Sequence, residues 1–104
     1  MVKINLKYKN DKYQSIQMSG HANAGDYGHD LVCAALTGIV SGAMNAMDTY
    51  HKEDIEIKVL DNKIIIEVNT FENEELQIMF KMLKVQLETI AVQYPANAEL
   101  KEVR

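Results

Sequence analysis

A two-layer α+β fold with a mainly antiparallel sheet and two helices, in the order ββαββαβ, follows from three features of the chain. Short segments alternate apolar and polar residues, which is the period of a half-buried strand. Asn- and Asp-containing turns join these segments in pairs. Two longer stretches repeat their apolar residues at helical spacing, and each follows one of the pairs. The 104 residues are read as one domain, 1–104, large enough for a core but marginal in stability.

Val2, Ile4, Leu6 and Tyr8 alternate with Lys3, Asn5, Lys7 and Lys9, giving the first strand. Asn10-Asp11-Lys12 turns the chain, and Tyr13 to Ser19 returns with Ile16 and Met18 as apolar positions. Ala22 to His29 reads as a loop with Gly25 and Gly28, either a plain connector or a segment that closes over a site. Asp30 is the expected N-cap of a helix reaching about Tyr50 or His51. That helix is apolar on more than one side. Leu31, Val32, Leu36, Ile39, Val40, Met44 and Met47 are joined by Ala34, Ala35, Gly38, Gly42 and Ala46. One side suits the sheet; the other meets either the second helix or a second copy of the protein.

Ile55, Ile57 and Val59, the Asp61-Asn62 turn, then Ile64, Ile66 and Val68 make a second hairpin. Ile65, on the other face, suggests that part of that side is covered too. From about Asn73 a second helix carries Glu74 and Glu75 in its first turn, where acids suit the dipole. Leu76, Met79, Phe80, Leu83, Leu87, Ile90 and Ala91 form its stripe, and Pro95 ends it. Met47, Met79 and Met82 are read as packing. Residues 97–103 form a last short strand.

The formal charge of −4 disfavours direct nucleic-acid binding, which needs clustered Lys and Arg. No apolar run approaches the roughly 20 residues that span a membrane, so no membrane partner is expected. A single cysteine forbids an intrachain disulfide and fits a reducing cytosol. The N-terminus alternates like a strand and does not read as a signal peptide.

The stretch from Gly20 to Cys33 holds that cysteine and two of the three histidines. His21 leaves a strand and Cys33 enters a helix, so the two can meet although twelve positions apart. An imidazole beside a thiol makes a nucleophile. With Asp30 as cap, Cys33 is the third helical residue, near unpaired amides and the positive end of the dipole. The dipole supplies about 0.3–1 kcal/mol, less than one pKa unit at about 1.4 kcal/mol. A protonated His21 must supply the rest, since the Asp30 carboxylate opposes it. In this reading Cys33 is the nucleophile, His21 the base and later the acid. Asp30 caps the helix, orients His21 or lines the cleft. The competing reading is an inert packing cysteine and a solvated imidazole. His29 reads as exposed. His51 reads as a cation at the negative end of a helix. A zinc site from His21, His29, Cys33 and Asp30 has no CxxC or HxxxH spacing behind it, and no metal or cofactor is expected.

Gly20-His21-Ala22, a short loop ending Gly28-x-Asp30, and Val32-Cys33-Ala34-Ala35 resemble the signature of the ribosomal-processing cysteine protease family known as Prp. Length and element order fit along the whole chain. The resemblance implies a cytosolic homodimer packed through helices. It implies an endopeptidase that removes the N-terminal extension of large-subunit ribosomal protein twenty-seven, cutting after an aromatic residue. It puts the family's catalytic histidine on His21, its nucleophile on Cys33 and its aspartate on Asp30. Gly20 and Ala22 flank the histidine. A serine common in the family four residues after the cysteine is Thr37 here, which keeps the hydroxyl and adds a methyl. His29 is no part of the pattern. The alternative is a non-catalytic ribosome-associated assembly or binding module, with the Cys-His pair a relic.

Overall fold

The structure, a computed structural model, describes residues 1–20 and 27–104, with the backbone alone over 27–30. Strands β1 (Val2–Lys9) and β2 (Lys12–Ser19) are joined by Asn10 and Asp11 at φ of 52° and 63°. Two successive positive φ values twist a two-residue turn in the sense a hairpin needs, and Asn and Asp tolerate them best after Gly. Strands β3 (Ile55–Leu60) and β4 (Lys63–Val68) form the second hairpin. The hairpins meet through antiparallel β2 and β4, and β5 (Ala98–Val103) lies parallel to β1. The sheet order is therefore β3-β4-β2-β1-β5, mixed but mainly antiparallel.

This register sorts the side chains by face. Leu100, Ile4, Met18, Ile64 and Val59 line up in one row, and Leu6, Ile16, Ile66 and Ile57 in the next. Both rows face the helices. Lys101, Asn5, Gln17, Ile65 and Lys58 line the opposite face, where Ile65 is half-buried between polar neighbours.

Helix α2 (Glu74–Gln93) buries Leu76, Phe80, Leu83 and Leu87, the stripe its spacing predicts. Asn73 caps it by accepting the Leu76 N–H at 3.0 Å. Gln77 reaches β2 and exchanges two hydrogen bonds with the Tyr13 backbone, at 2.7 and 2.9 Å. The Tyr13 ring stacks on Phe80, with centroids 5.8 Å apart.

Helix α1 (Tyr27–His51) corrects the sequence reading. It starts at Tyr27, so Gly28 and His29 are helical and not part of the loop. Asp30 is the fourth helical residue and is not the cap. Glycine's cost in a helix is backbone entropy and is charged mainly in the interior, so one in the first turn is tolerated. An acid suits the positive dipole from inside the first turn as well as from the cap. By length and composition Leu31–Asp54 is also apolar enough to cross a bilayer, which corrects the expectation that no apolar run approaches that length. Here its Val32, Leu36, Val40 and Met47 are buried in one cluster with the inward strand residues.

Candidate active site

Gly20 follows β2 directly and has φ +81°, a conformation that L side chains rarely adopt. A Cβ built there would lie 2.4 Å from the Met1 carbonyl oxygen, so the position is closed to a side chain by space as well as by angle. The glycine of the Gly-His-Ala run therefore has a physical cause. His21 and Ala22 lie outside the described residues, and the Asp30 side chain does too.

Cys33 is described and buried, 6% exposed, with Val32, Leu36 and Val40 nearby on the same helix in the core cluster. Burial of this kind is equally what an inert packing cysteine shows. Thr37 is half-buried and lies one helical turn beyond Cys33, on the same side of α1. Because α1 starts at Tyr27, Cys33 is its seventh residue and not its third. The dipole fades beyond the first turn, so its help to a thiolate is smaller than the sequence reading expects. The Cα–Cβ bond leans toward the helix N-terminus, which returns the sulfur part of the way.

An apolar cleft of about 250 Å³ opens between the start of α1 and the end of α2, lined by Leu31, Val32, Ala35, Ile90, Gln93 and Tyr94. Leu31 and Cys33 are two residues apart, about 200° around the helix. The cleft thus opens toward α2, away from the sulfur. A second apolar groove of about 390 Å³ continues along the same seam past Gly38, Gly42, Met79 and Met82. The sequence reading missed both. They form only where residues about forty to sixty positions apart come together, which helical spacing alone does not reveal.

Two polar clusters lie away from Cys33. At the far end of β1, the Tyr8 hydroxyl is buried, and burial pushes its pKa up to about 12, with Tyr13 and Glu102 acting in the same sense. Lys84 pairs with Glu102 at 2.5 Å. That bond holds the Glu102 carboxyl below its ordinary range and the Lys84 ammonium above its own. At the C-terminal end of α1, His51 bonds Glu75 at 2.6 Å and Asn73 at 3.0 Å. Asn73 Oδ1 is taken by the Leu76 N–H, so its Nδ2 donates to His51 Nδ1 and, at 2.7 Å, to Asp54 Oδ2. His51 therefore accepts at Nδ1 and donates from Nε2 to Glu75. It is more than the helix-end cation that the sequence suggests.

A family model described as cysteine protease Prp matches residues 1–99. A curated relative from Staphylococcus aureus, named ribosomal processing cysteine protease Prp, is 33% identical over 91 residues, 86% of each chain. The crystal structure of an essential ribosomal processing protease Prp from S. aureus, in complex with a substrate peptide, superposes with a TM-score of 0.91. It is 28% identical and covers 98% of this chain and 99% of that one. The S. aureus Prp in complex with a covalently linked product peptide superposes with a TM-score of 0.86 at 30% identity, with the same coverage.

Proposed function

The chain belongs to the cysteine protease Prp family, and from that premise we propose that it is the endopeptidase that trims large-subunit ribosomal protein twenty-seven, with Cys33 as nucleophile and His21 as base. That it is a cysteine protease follows from the family itself. The observation that carries the finer reading is the match of this chain, over nearly its whole length, to a Prp holding a covalently linked product peptide. Cys33 is the chain's only cysteine, so a covalent bond through sulfur has one place to form.

In the proposed cycle His21 takes the Cys33 proton, and the thiolate attacks the scissile carbonyl carbon. The tetrahedral intermediate collapses as His21 returns that proton to the leaving amine. A thioester remains on Cys33. Water, deprotonated by His21, then attacks the thioester and releases the carboxylate product and the thiol. Asp30 and Thr37 orient the substrate or the imidazole, with Gly20 and Ala22 framing the histidine. No cofactor enters. The acidic balance of the chain suits a basic ribosomal protein as substrate. The setting is the cytosol, in keeping with a lone cysteine kept reduced.

The working form is a homodimer packed through the helices. A Cβ added at Gly38 or Gly42 meets nothing within 4 Å beyond its own helical neighbourhood. Each glycine costs about 1 kcal/mol in a helix interior, and this chain alone gives no reason for either. A second helix brought close would. Ile78 and Met82 are exposed beside them, at 62% and 63%. In sedimentation the parent protein is expected to run as a dimer and Gly42→Trp as a monomer. A monomeric parent would contradict this part.

The enzymatic reading is tested with a peptide spanning the extension junction, cut by the parent but not by Cys33→Ala or His21→Ala. Unchanged cleavage by either variant removes the dyad. A parent that cuts neither peptide nor full precursor favours the non-catalytic assembly module.

A further inference from the structure

Resting on the homodimer reading, we propose that α2 packs antiparallel on the α2 of a second copy, about a two-fold axis beside Val85, with Lys81 of each protomer paired to Glu88 of the partner subunit. Helix α2 is apolar on two sides. Its inner stripe runs through Leu76, Phe80, Leu83, Leu87 and Ile90. Two positions after each of these, about 200° around the helix, stand Ile78, Met82, Val85, Thr89 and Val92. The four apolar members of this outer row are all more than half exposed. Steps of four and three residues alternate along the row, as they do between the a and d positions of a coiled coil. The row runs about 21 Å along the helix. Thr89 is its one polar member. The Thr89 hydroxyl donates to the Val85 carbonyl at 2.8 Å, so the row can be covered without leaving that donor unpaired. Ile78 and Met82 also line the groove past Gly38 and Gly42, so a partner seated on the row borders the glycines as well.

The charges beside the row select the partner and its direction. Lys81 and Glu88 share one flank of it. Two helical turns separate them, so they do not pair as residues three or four apart do. Neither takes part in an ion pair among the described residues, and Lys84 between them is held by Glu102. A second α2 running the opposite way about Val85 brings position 81 of one helix level with position 89 of the other. Lys81 then faces Glu88 of the partner subunit, and by symmetry Glu88 faces the partner's Lys81. A parallel partner would set both charges against Gln86 and Gln93, which carry none. The row is therefore complementary to itself in one orientation, as a two-fold interface requires.

The test measures the dimer dissociation constant by sedimentation equilibrium for the parent, Lys81→Glu, Glu88→Lys, the two reversals combined, and Val85→Glu. Lys81 and Val85 are exposed and Glu88 is half-buried at the surface, so the fold is expected to survive each change, with circular dichroism as the check. Either single reversal creates two like-charge contacts across the axis and is expected to raise the constant about tenfold or more. The combined reversals restore both pairs and are expected to return it to within about threefold of the parent. Val85→Glu sets two carboxylates together at the axis and is expected to raise it at least about 100-fold. Should Val85→Glu fail to fold, the charge reversals decide alone. Single reversals without effect on a parent that dimerises overturn this interface and leave the homodimer reading standing. A combined variant no tighter than the single ones does the same. A parent that stays monomeric removes the homodimer reading and this proposal together.

Discussion

At its C-terminal end α1 is tied down by side chains, whereas the end of β2 at Gly20 is shaped by backbone. Around His51, the side chains of His51, Asp54, Thr70, Asn73 and Glu75 share five short hydrogen bonds: Thr70 donates to Asp54 at 2.8 Å, and Asn73 bridges Asp54, His51 and the start of α2. Around Gly20 the determining contacts are a carbonyl, an amide and a φ angle. Polar side chains can be exchanged for others at modest cost. A backbone approach leaves room for glycine alone. The first end suits holding two helices in register.

If this division is right, substitutions separate cleanly. The largest effect belongs to the chemistry. Cys33→Ala is expected to lower kcat at least about 10,000-fold, the scale seen when a nucleophile is removed, while its melting temperature stays near that of the parent. Leu36→Ala, one helical turn past Cys33 on α1, removes a fully buried side chain. It is expected to cost about 2–5 kcal/mol in urea unfolding, enough to blur the distinction by loosening both. Asn73→Ala is the counterpart at the tied end. Loss of the cap alone costs about 1 kcal/mol, and the kcat of the folded enzyme should not change. A fall in kcat there would show that the two ends communicate.

The smallest effect is one of acid tolerance. Thr70 and then Asn73 hold the Asp54 carboxyl below its ordinary range by donating to it, with the nearby His51 adding to this. A depressed folded-state pKa gives stability that is present above the unfolded carboxyl's value. It is lost as pH falls through the folded value. Thr70→Val removes the largest cause, so the variant should lose stability that the parent has above about pH 4, with the difference fading as pH falls through the folded value, and its acid unfolding midpoint should move to higher pH. Circular dichroism against pH reads this directly. An unmoved midpoint would mean that the bond contributes nothing.

The strands, the turns and α2 were legible because their signals are local. Alternation, Asn10-Asp11 and the acids Glu74 and Glu75 each act over a few residues. The start of α1 was misread for the same reason. Gly28 and Asp30 look locally like a loop and a cap, yet the helix passes through both. Cys33 and Thr37 were legible as a motif, and Gly20 as part of it. The reason for Gly20 was not, because Met1 is nineteen positions away and acts through a backbone atom, which no residue type encodes. The His51–Asn73–Asp54 cluster was hidden likewise: its members are ordinary singly and informative only together.

The central claim is that an imidazole activates the Cys33 sulfur, and the rate of Cys33 alkylation against pH tests it most directly. The account predicts a midpoint well below the roughly 8.5 of an ordinary thiol in the parent, moved upward in His21→Ala. A midpoint near about 8.5 in both proteins would contradict it.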